Sequence, residues 1–275
     1  MTATWRLLKT APPTAWLGLM VIALYTFVAL AAPVIAPYGE TAVVAAEYEP
    51  WGGSYLLGTD NLGRDMFTRL VFGARNTIGI AMIATILAFL LGMTAGFLAA
   101  VLGGKVDQLL SRAVDVLMAI PSLIFALLIL TIIGTSIPSL ILVIAVLDST
   151  RIFRVARAVA MNIVAMDFVE TARLRGEGLW WLIVREIAPN AFAPLIAEFG
   201  LRFCFVFLFI SALSFLGLGI QPPTADWGSM VRDNATLISF GDFTPLLPAG
   251  AIALLTVGVN YVVDWMLHIA SGLKE

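Results

Sequence analysis

Charge is scarce in this chain: Asp, Glu, Lys and Arg make up 12% of its 275 residues, and 60% are hydrophobic. An ordinary soluble domain carries about 25% charged residues. A water-soluble globule of this size would lack the polar coat to solvate its apolar surface, so the composition is that of an integral membrane protein. A basic excess is also missing, with a net charge of −2, which excludes the positive field that nucleic-acid binding requires. There is one cysteine, Cys204, and one histidine, His268. That rules out an internal disulfide framework and a Cys-based zinc site, and it leaves almost nothing for imidazole or thiol catalysis. Ser214 has no histidine within plausible reach, so an intramembrane serine protease is discarded. No phosphate-binding G-x-x-x-x-G-K-[ST] occurs, because Gly103-Gly104-Lys105 lacks the upstream glycine.

What is present in quantity is long uncharged sequence. Charge-free runs cover Thr10 to Gly39, Asn76 to Gly104, Val116 to Leu147, Phe203 to Ala225 and Phe243 to Val263. About 20 apolar residues cross a bilayer core of roughly 30 Å, so four runs are one span each. The run from Val116 to Leu147 is long enough for a hairpin. Gly134-Thr135-Ser136-Ile137-Pro138 in its middle is turn chemistry, predicting helices from about Ala113 to Ile133 and from Pro138 to Arg157. With six spans and the N-terminus inside, eleven basic residues fall on the cytoplasmic side and four outside, with Arg202 in a span. Five spans would give five inside against ten outside, so the positive-inside rule selects six. Arg6 and Lys9 ahead of the first run also fit a signal peptide, but the run exceeds a usual signal core, favouring an uncleaved first helix.

The predicted architecture is all-α, a six-helix polytopic membrane protein with both termini cytoplasmic. Residues 1–75 form an N-terminal helix and an external segment. Residues 76–275 form the core, with a long cytoplasmic loop at about 158–189. External segments fall at about Tyr38 to Arg75 and Gly219 to Asp242. The cytoplasmic loop is patterned. Phe168, Val169, Ala172, Leu174, Leu179, Leu182 and Ile183 recur at helical spacing among Arg173, Arg175, Glu177 and Arg185. Gly176 permits a sharp break between two short helices, and Pro189 is expected to start the next one. Such an elbow either enters a groove of another protein or rests on lipid headgroups.

Three blocks carry a family resemblance. Glu170-x-Ala172, Gly176 and Pro189 resemble the "EAA" loop of ABC importer permeases, with Thr171 at the usual second position and Glu186 and Ala188 departing from the usual I-x-L-P ending. Leu57-Gly58-Thr59-Asp60-Asn61-Leu62-Gly63-Arg64-Asp65-Met66-Phe67-Thr68-Arg69 resembles the external signature of the dipeptide/oligopeptide/nickel permease family. Leu213-Ser214-Phe215-Leu216-Gly217-Leu218-Gly219-Ile220-Gln221-Pro222-Pro223, followed by Asp226-Trp227-Gly228, is similar to the same family. The blocks cover nearly the whole chain in the family's order, and the type resembled is the C-type subunit with an extra N-terminal helix.

The resemblance implies half of a translocation pathway for peptides or related small solutes in a bacterial inner membrane. It implies a second homologous permease chain, two cytoplasmic ATPases and an extracytoplasmic binding protein. This chain would hold no metal or cofactor, with ATP and Mg on the ATPases. The coupling loop to those ATPases would be Glu170, Thr171, Ala172, Gly176, Ile187 and Pro189. Gly58, Thr59, Asp60, Gly63, Arg64, Asp65 and Arg69 would form a self-satisfied external scaffold, with Trp227 as an interfacial anchor. The alternative is an ion-gradient-driven secondary transporter with Asp148 or Glu198 as its ion site. Six spans are few for that, and it leaves the patterned loop without a role.

Other polar and small residues follow from physics alone. Asp148, Glu198, Arg202 and Asp264 lie in or near spans, where ionisable groups face partners or a wet path. Glu198 and Arg202 have the spacing of a one-turn pair, and Asp148 is expected to pair with Arg151. Asp264 and His268 are expected near the inner interface. Ala84, Ala88, Gly92, Gly96, Ala100 and Gly104 recur every four residues, a stripe that lets another helix backbone approach closely.

Overall fold

The computed structural model describes residues 11–271, so Arg6, Lys9 and Lys274, which carry part of the expected inside charge, lie outside the described residues. Among those residues the chain is helical, with two isolated antiparallel bridges, Val43 to Arg64 and Thr59 to Asp65, in place of any strand. In chain order the helices are α1 (Pro13–Ile35), α2 (Met66–Leu102), α3 (Gly104–Met118), α4 (Ser122–Ile133), α5 (Ile137–Val164), α6 (Asp167–Leu174), α7 (Leu179–Trp181), α8 (Ala188–Phe215), α9 (Trp227–Asn234) and α10 (Leu246–Ser271). A π-helical turn, Leu182–Ile187, joins α7 to α8, and a 3-10 turn, Ala235–Phe240, follows α9.

Four helical stretches are long and apolar enough to cross a membrane: Pro13–Ile35, Met66–Leu102, Leu179–Phe215 and Leu246–Ile269. A fifth is broken, because α3 and α4 meet at 86°. The straight helix expected from Ala113 to Ile133 is therefore not formed. Pro121 has no N–H to donate and disfavours helical backbone at Ile120, and the chain bends there. The 12 residues of α4 reach only about 18 Å at 1.5 Å per residue, short of a bilayer core. At the far end of the run the expected turn is present. Gly134 has φ +90°, and the Ser136 hydroxyl caps α5 by accepting from the Ser139 N–H at 3.3 Å.

The core is built on α2 against α5. At 37 residues, α2 is about 56 Å long, well beyond a bilayer core of roughly 30 Å. A Cβ on Gly92 would lie 2.7 Å from Ile152 Cβ and from the Ser149 carbonyl, and one on Gly96 would lie 2.9 Å from the Phe153 carbonyl and Arg157 N. The two backbones thus touch where the stripe is smallest, and the stripe serves a contact within this chain. Ala84, Ala88, Gly92 and Gly96 are buried, whereas Ala100 is half-buried and Gly104 has left α2 to begin α3. In lipid, where water expulsion does not drive helix association, such close packing supplies much of the attraction. On another side, Gly18 of α1 meets Gly258 and Val262 of α10 in the same manner.

Candidate functional site

At the start of α2, Asp60 organises a buried charged knot. Its carboxylate accepts from Arg64 Nε at 2.8 Å and from the Arg64 and Leu62 backbone N–H groups, while Arg64 Nη2 stands at 2.7 Å and Arg69 Nε at 3.3 Å. All three side chains are buried. Asp65 caps α2 by accepting from the Thr68 N–H at 2.8 Å, the ordinary role of Asp at a helix start. Thr59 bridges to the preceding loop, donating to the Ala46 carbonyl at 2.7 Å and accepting from the Glu49 N–H at 2.8 Å. Gly58 and Gly63 are pressed against the Glu49 and Ala45 carbonyls.

The two external segments are clasped to each other. Glu40 accepts from Asn76 Nδ2 at 2.8 Å and from the Ala225 N–H at 2.5 Å, and Arg69 reaches the carbonyls of Glu40 and Pro223. Asp226 caps α9 through the Ser229 N–H at 2.8 Å and accepts from Thr77 Oγ1 at 3.0 Å. Burial pushes its carboxyl above the ordinary range, opposed by those hydrogen bonds. Trp227 is not the interfacial anchor expected. It is 2% exposed, lies edge-on to Tyr25 and Phe207, and donates from Nε1 to the Leu70 carbonyl at 2.9 Å. Gly73 leaves the space its ring fills. Glu40 carried no sequence signal, since its partners lie 36 and 185 residues away.

The segment from Asp167 to Ile187 forms a bent elbow with two faces. Val169, Ala172, Leu182, Ile183 and Ile187 are buried against the α2/α5 core, in one apolar cluster with Phe97, Ala156, Ala160 and Ile163. Phe168, Leu174, Leu179, Trp180 and Val184 stay exposed, Leu174 at 83% and Trp180 at 67%. The expected single apolar face is therefore split. Gly176 makes the bend: at φ +83°, its N–H donates to the Arg173 carbonyl and the Glu177 N–H to the Ala172 carbonyl, the Schellman ending that favours glycine. Glu170 and Thr171 point to the exposed side, with the Thr171 hydroxyl donating to the Asp167 carbonyl at 2.8 Å. Arg173 donates to the Val101 carbonyl near the end of α2. Pro189 stands in the first turn of α8, as expected, but no break in the helical path precedes it. The chain is helical from Leu179 through Phe215, and the π turn at Leu182–Ile187 precedes Pro189. A looser turn there accommodates a residue that cannot donate and would crowd the carbonyl four back.

The ionisable residues of the spans form one group. Arg202 Nε lies 2.7 Å from Glu198 Oε1, and Arg202 Nη1 lies 3.6 Å from Asp148 Oδ1. Asp148 thus pairs with Arg202 on α8 rather than with Arg151 on its own helix. The Arg151 guanidinium sits 4.2 Å above the ring of Phe205. Asp264 is exposed, and its carbonyl lies 3.0 Å from His268 Nδ1. Nearer the inner end, Asp107 pairs with Arg157 and Asp115 with Arg154, tying α3 to α5. No cluster of side chains suited to a metal ion occurs among the described residues.

Known proteins share this framework. Over 252 residues the chain is 33% identical to the dipeptide transport system permease protein DppC of Alkalihalophilus pseudofirmus, covering 91% of this chain and 83% of that one. It is 34% identical over 254 residues to the di/tripeptide transport system permease protein DppC of Pseudomonas aeruginosa, covering 90% and 84%. The probable D,D-dipeptide transport system permease protein DdpC of Escherichia coli is 30% identical over 259 residues, covering 94% and 87%. The fold is similar to that of an amino acid ABC transporter crystallised with histidines, with TM-score 0.54 and 20% identity over 72% of this chain and 92% of that one. Residues 92–271 match the family described as binding-protein-dependent transport system inner membrane component. With that match, those identities and its apolar helices, the chain belongs to this family and is a multi-pass permease subunit of an ABC importer.

Proposed function

We propose that this subunit forms half of the pathway by which peptides cross a bacterial inner membrane, driven by ATP hydrolysed with Mg on two separate cytoplasmic ATPases. A second homologous permease chain completes the path, and an extracytoplasmic binding protein delivers the cargo to the outer side. The peptide class is supported by the names of the relatives. Six crossings with both termini cytoplasmic are supported by the distribution of basic residues. In this reading the broken α3–α4 pair and α5 supply two crossings, α5 shielding its charges against α8. The external clasp, residues 38–75 with 219–242, is the frame on which the binding protein lands.

The two-faced elbow carries the proposal. Its inner face is packed onto α2 and α5, and its outer face leaves Glu170, Leu174 and Trp180 uncovered. A lever needs both properties, a rigid attachment to what it moves and a free surface for what moves it. An ATPase gripping the outer face would shift α5 and α8 together. Glu170 would accept a charge-assisted hydrogen bond from it. Thr171 and Ala172 hold the first helix, Gly176 sets the bend, and Ile187 and Pro189 join the second arm to the span. Such coupling requires the ATPase to bind the elbow differently in two states.

Replacing Gly176 by Leu tests the assignment. Nothing lies within 4 Å of a Cβ there, so the change acts through the left-handed backbone and not through a clash. A non-glycine residue in that conformation costs about 1–2 kcal/mol, enough to reset the bend. The expected result is intact membrane insertion with ATPase co-purification or ATP-driven uptake reduced at least about tenfold, and a milder effect for Gly176→Asn. Normal assembly and uptake in Gly176→Leu would refute the lever.

A further inference from the structure

Four charged side chains lie where α5 meets α8, and they are not all paired. Asp148 and Arg151 are eleven and fourteen residues into α5, about 16 and 21 Å along it. Arg202 is thirteen residues before the end of α8, about 20 Å. With α5 and α8 as crossings, as proposed above, these positions fall within a roughly 30 Å core. That moves Arg151 off the inner surface where the charge count puts it and leaves ten basic residues inside against four outside. Arg202 takes both carboxylates, Glu198 at 2.7 Å and Asp148 at 3.6 Å. Arg151 makes no ion pair among the described residues. The Phe205 ring occupies one face of its guanidinium at 4.2 Å, with Arg202 lying 5.8 Å from the same ring.

A guanidinium stacked by its face keeps its N–H donors free around the edge, in the plane that matches a carboxylate. Lipid tails cannot accept those bonds, and an uncompensated cation in hydrocarbon is expensive. The half-buried edge of Arg151 therefore faces something polar. Beside it, both oxygens of Asp148 are buried without a hydrogen-bond partner. The cleft between them, lined also by Ser122, Leu147 and Phe209, has a volume of about 10 Å³, about one water. It does not hold a solute, so contact with one takes place at its mouth, on Arg151.

We propose that Arg151, presented by Phe205 and balanced by the Glu198–Arg202–Asp148 group, is a transit contact for the carboxylate of the passing solute. The inference rests on the peptide reading above, since every free peptide carries a terminal carboxylate. A bidentate, reversible contact in mid-membrane offsets the desolvation of that charge while the path is closed on both sides. Arg151 is thus a specificity-determining residue within the permease, separate from selection by the binding protein.

The test uses the assembled importer in lipid vesicles, with tri-alanine as the probe at saturating binding protein. In Arg151→Gln, uptake should fall at least about tenfold, and Arg151→Lys should fall between Gln and wild type, since it keeps the charge but loses the planar fork. Both should keep ATP hydrolysis stimulated by the loaded binding protein. Wild-type uptake rates in Arg151→Gln, or loss of stimulated hydrolysis together with uptake, would overturn the proposal, the second outcome marking a purely structural clasp between α5 and α8. A second measurement is independent of cargo. In an Arg151→Cys, Cys204→Ala chain, a water-soluble methanethiosulfonate should label position 151 in the assembled importer. Labelling only in the separated chain would place Arg151 against the partner permease and sink the idea. If wild type takes up no tri-alanine, the peptide reading fails by itself, and the labelling result still decides whether Arg151 faces a wet path.

Discussion

The outer and inner ends of this molecule are held by opposite means. Around the start of α2, charged side chains are buried or half-buried and tied to one another: Asp60 carries two arginines, and Glu40 and Asp226 stitch segments far apart in sequence, although Arg69 Nε and the Thr68 hydroxyl have no hydrogen-bond partner. Inside, the ion pairs are wetter. Arg154 and Asp115 are 52% and 62% exposed, α3 buries no residue, and the elbow presents bare Leu174 and Trp180. A buried charged network is intolerant of rearrangement, because each partner lost leaves an unpaired charge. Exposed pairs exchange with water at little cost. The end around the start of α2 is thus a frame, and the end around α3 and the elbow presents an open surface.

The comparison breaks most visibly at Asp60. Asp60→Ala leaves Arg64 and Arg69 buried without their carboxylate and is expected to cost about 3–5 kcal/mol, seen as a large fall in thermal unfolding temperature in detergent. A near-normal melting temperature would mean that the knot is not the frame. Between the two ends, Gly92→Val forces α2 off Ser149 and Ile152. A loss of about 1–3 kcal/mol follows from overpacking, checked by the same melt.

Asp226 sharpens the contrast through pH. Its carboxyl is raised by burial, so its contribution to stability is fully present below the ordinary value of 3.8 and is lost as pH rises through the raised value. Asp226→Asn keeps an acceptor without the charge. It should flatten this decline, so that the variant gains on wild type as pH rises above the ordinary carboxylate value. An unchanged pH profile of melting temperature would show that the carboxylate is not penalised. Least of all should happen at Asp115, where Asp115→Ala removes an exposed pair worth about 0–1 kcal/mol. A drop comparable to that of Asp60→Ala would erase the distinction between the ends.

Much of this was legible before any coordinates. Most apolar runs marked helices, Gly134 to Pro138 the turn ahead of α5, and Gly176 a bend, because each depends on neighbours within a few residues; the run from Phe203 to Ala225 did not, since α8 begins at Ala188 and ends at Phe215. The knot of Asp60 with Arg64 is also local. What escaped was set at a distance. Trp227 looked like a surface anchor until Gly73 and Leu70 gave it a pocket. Asp148 had a cation one turn away on α5 and took Arg202 on α8 instead. Pro189 stands in the first turn of α8 as expected, but the π turn before it absorbs the missing donor and leaves no break ahead of that helix.

By itself, then, the sequence determined that the chain lives in a bilayer, which stretches are apolar, and which blocks mark its family, since hydropathy and turn chemistry are properties of short stretches. Only the tertiary structure decided which apolar residues of the elbow face inward, that the glycine stripe serves α5, and which arginine answers Asp148. Those outcomes depend on how helices far apart in sequence pack together, and packing has no period that a single strand of letters can display.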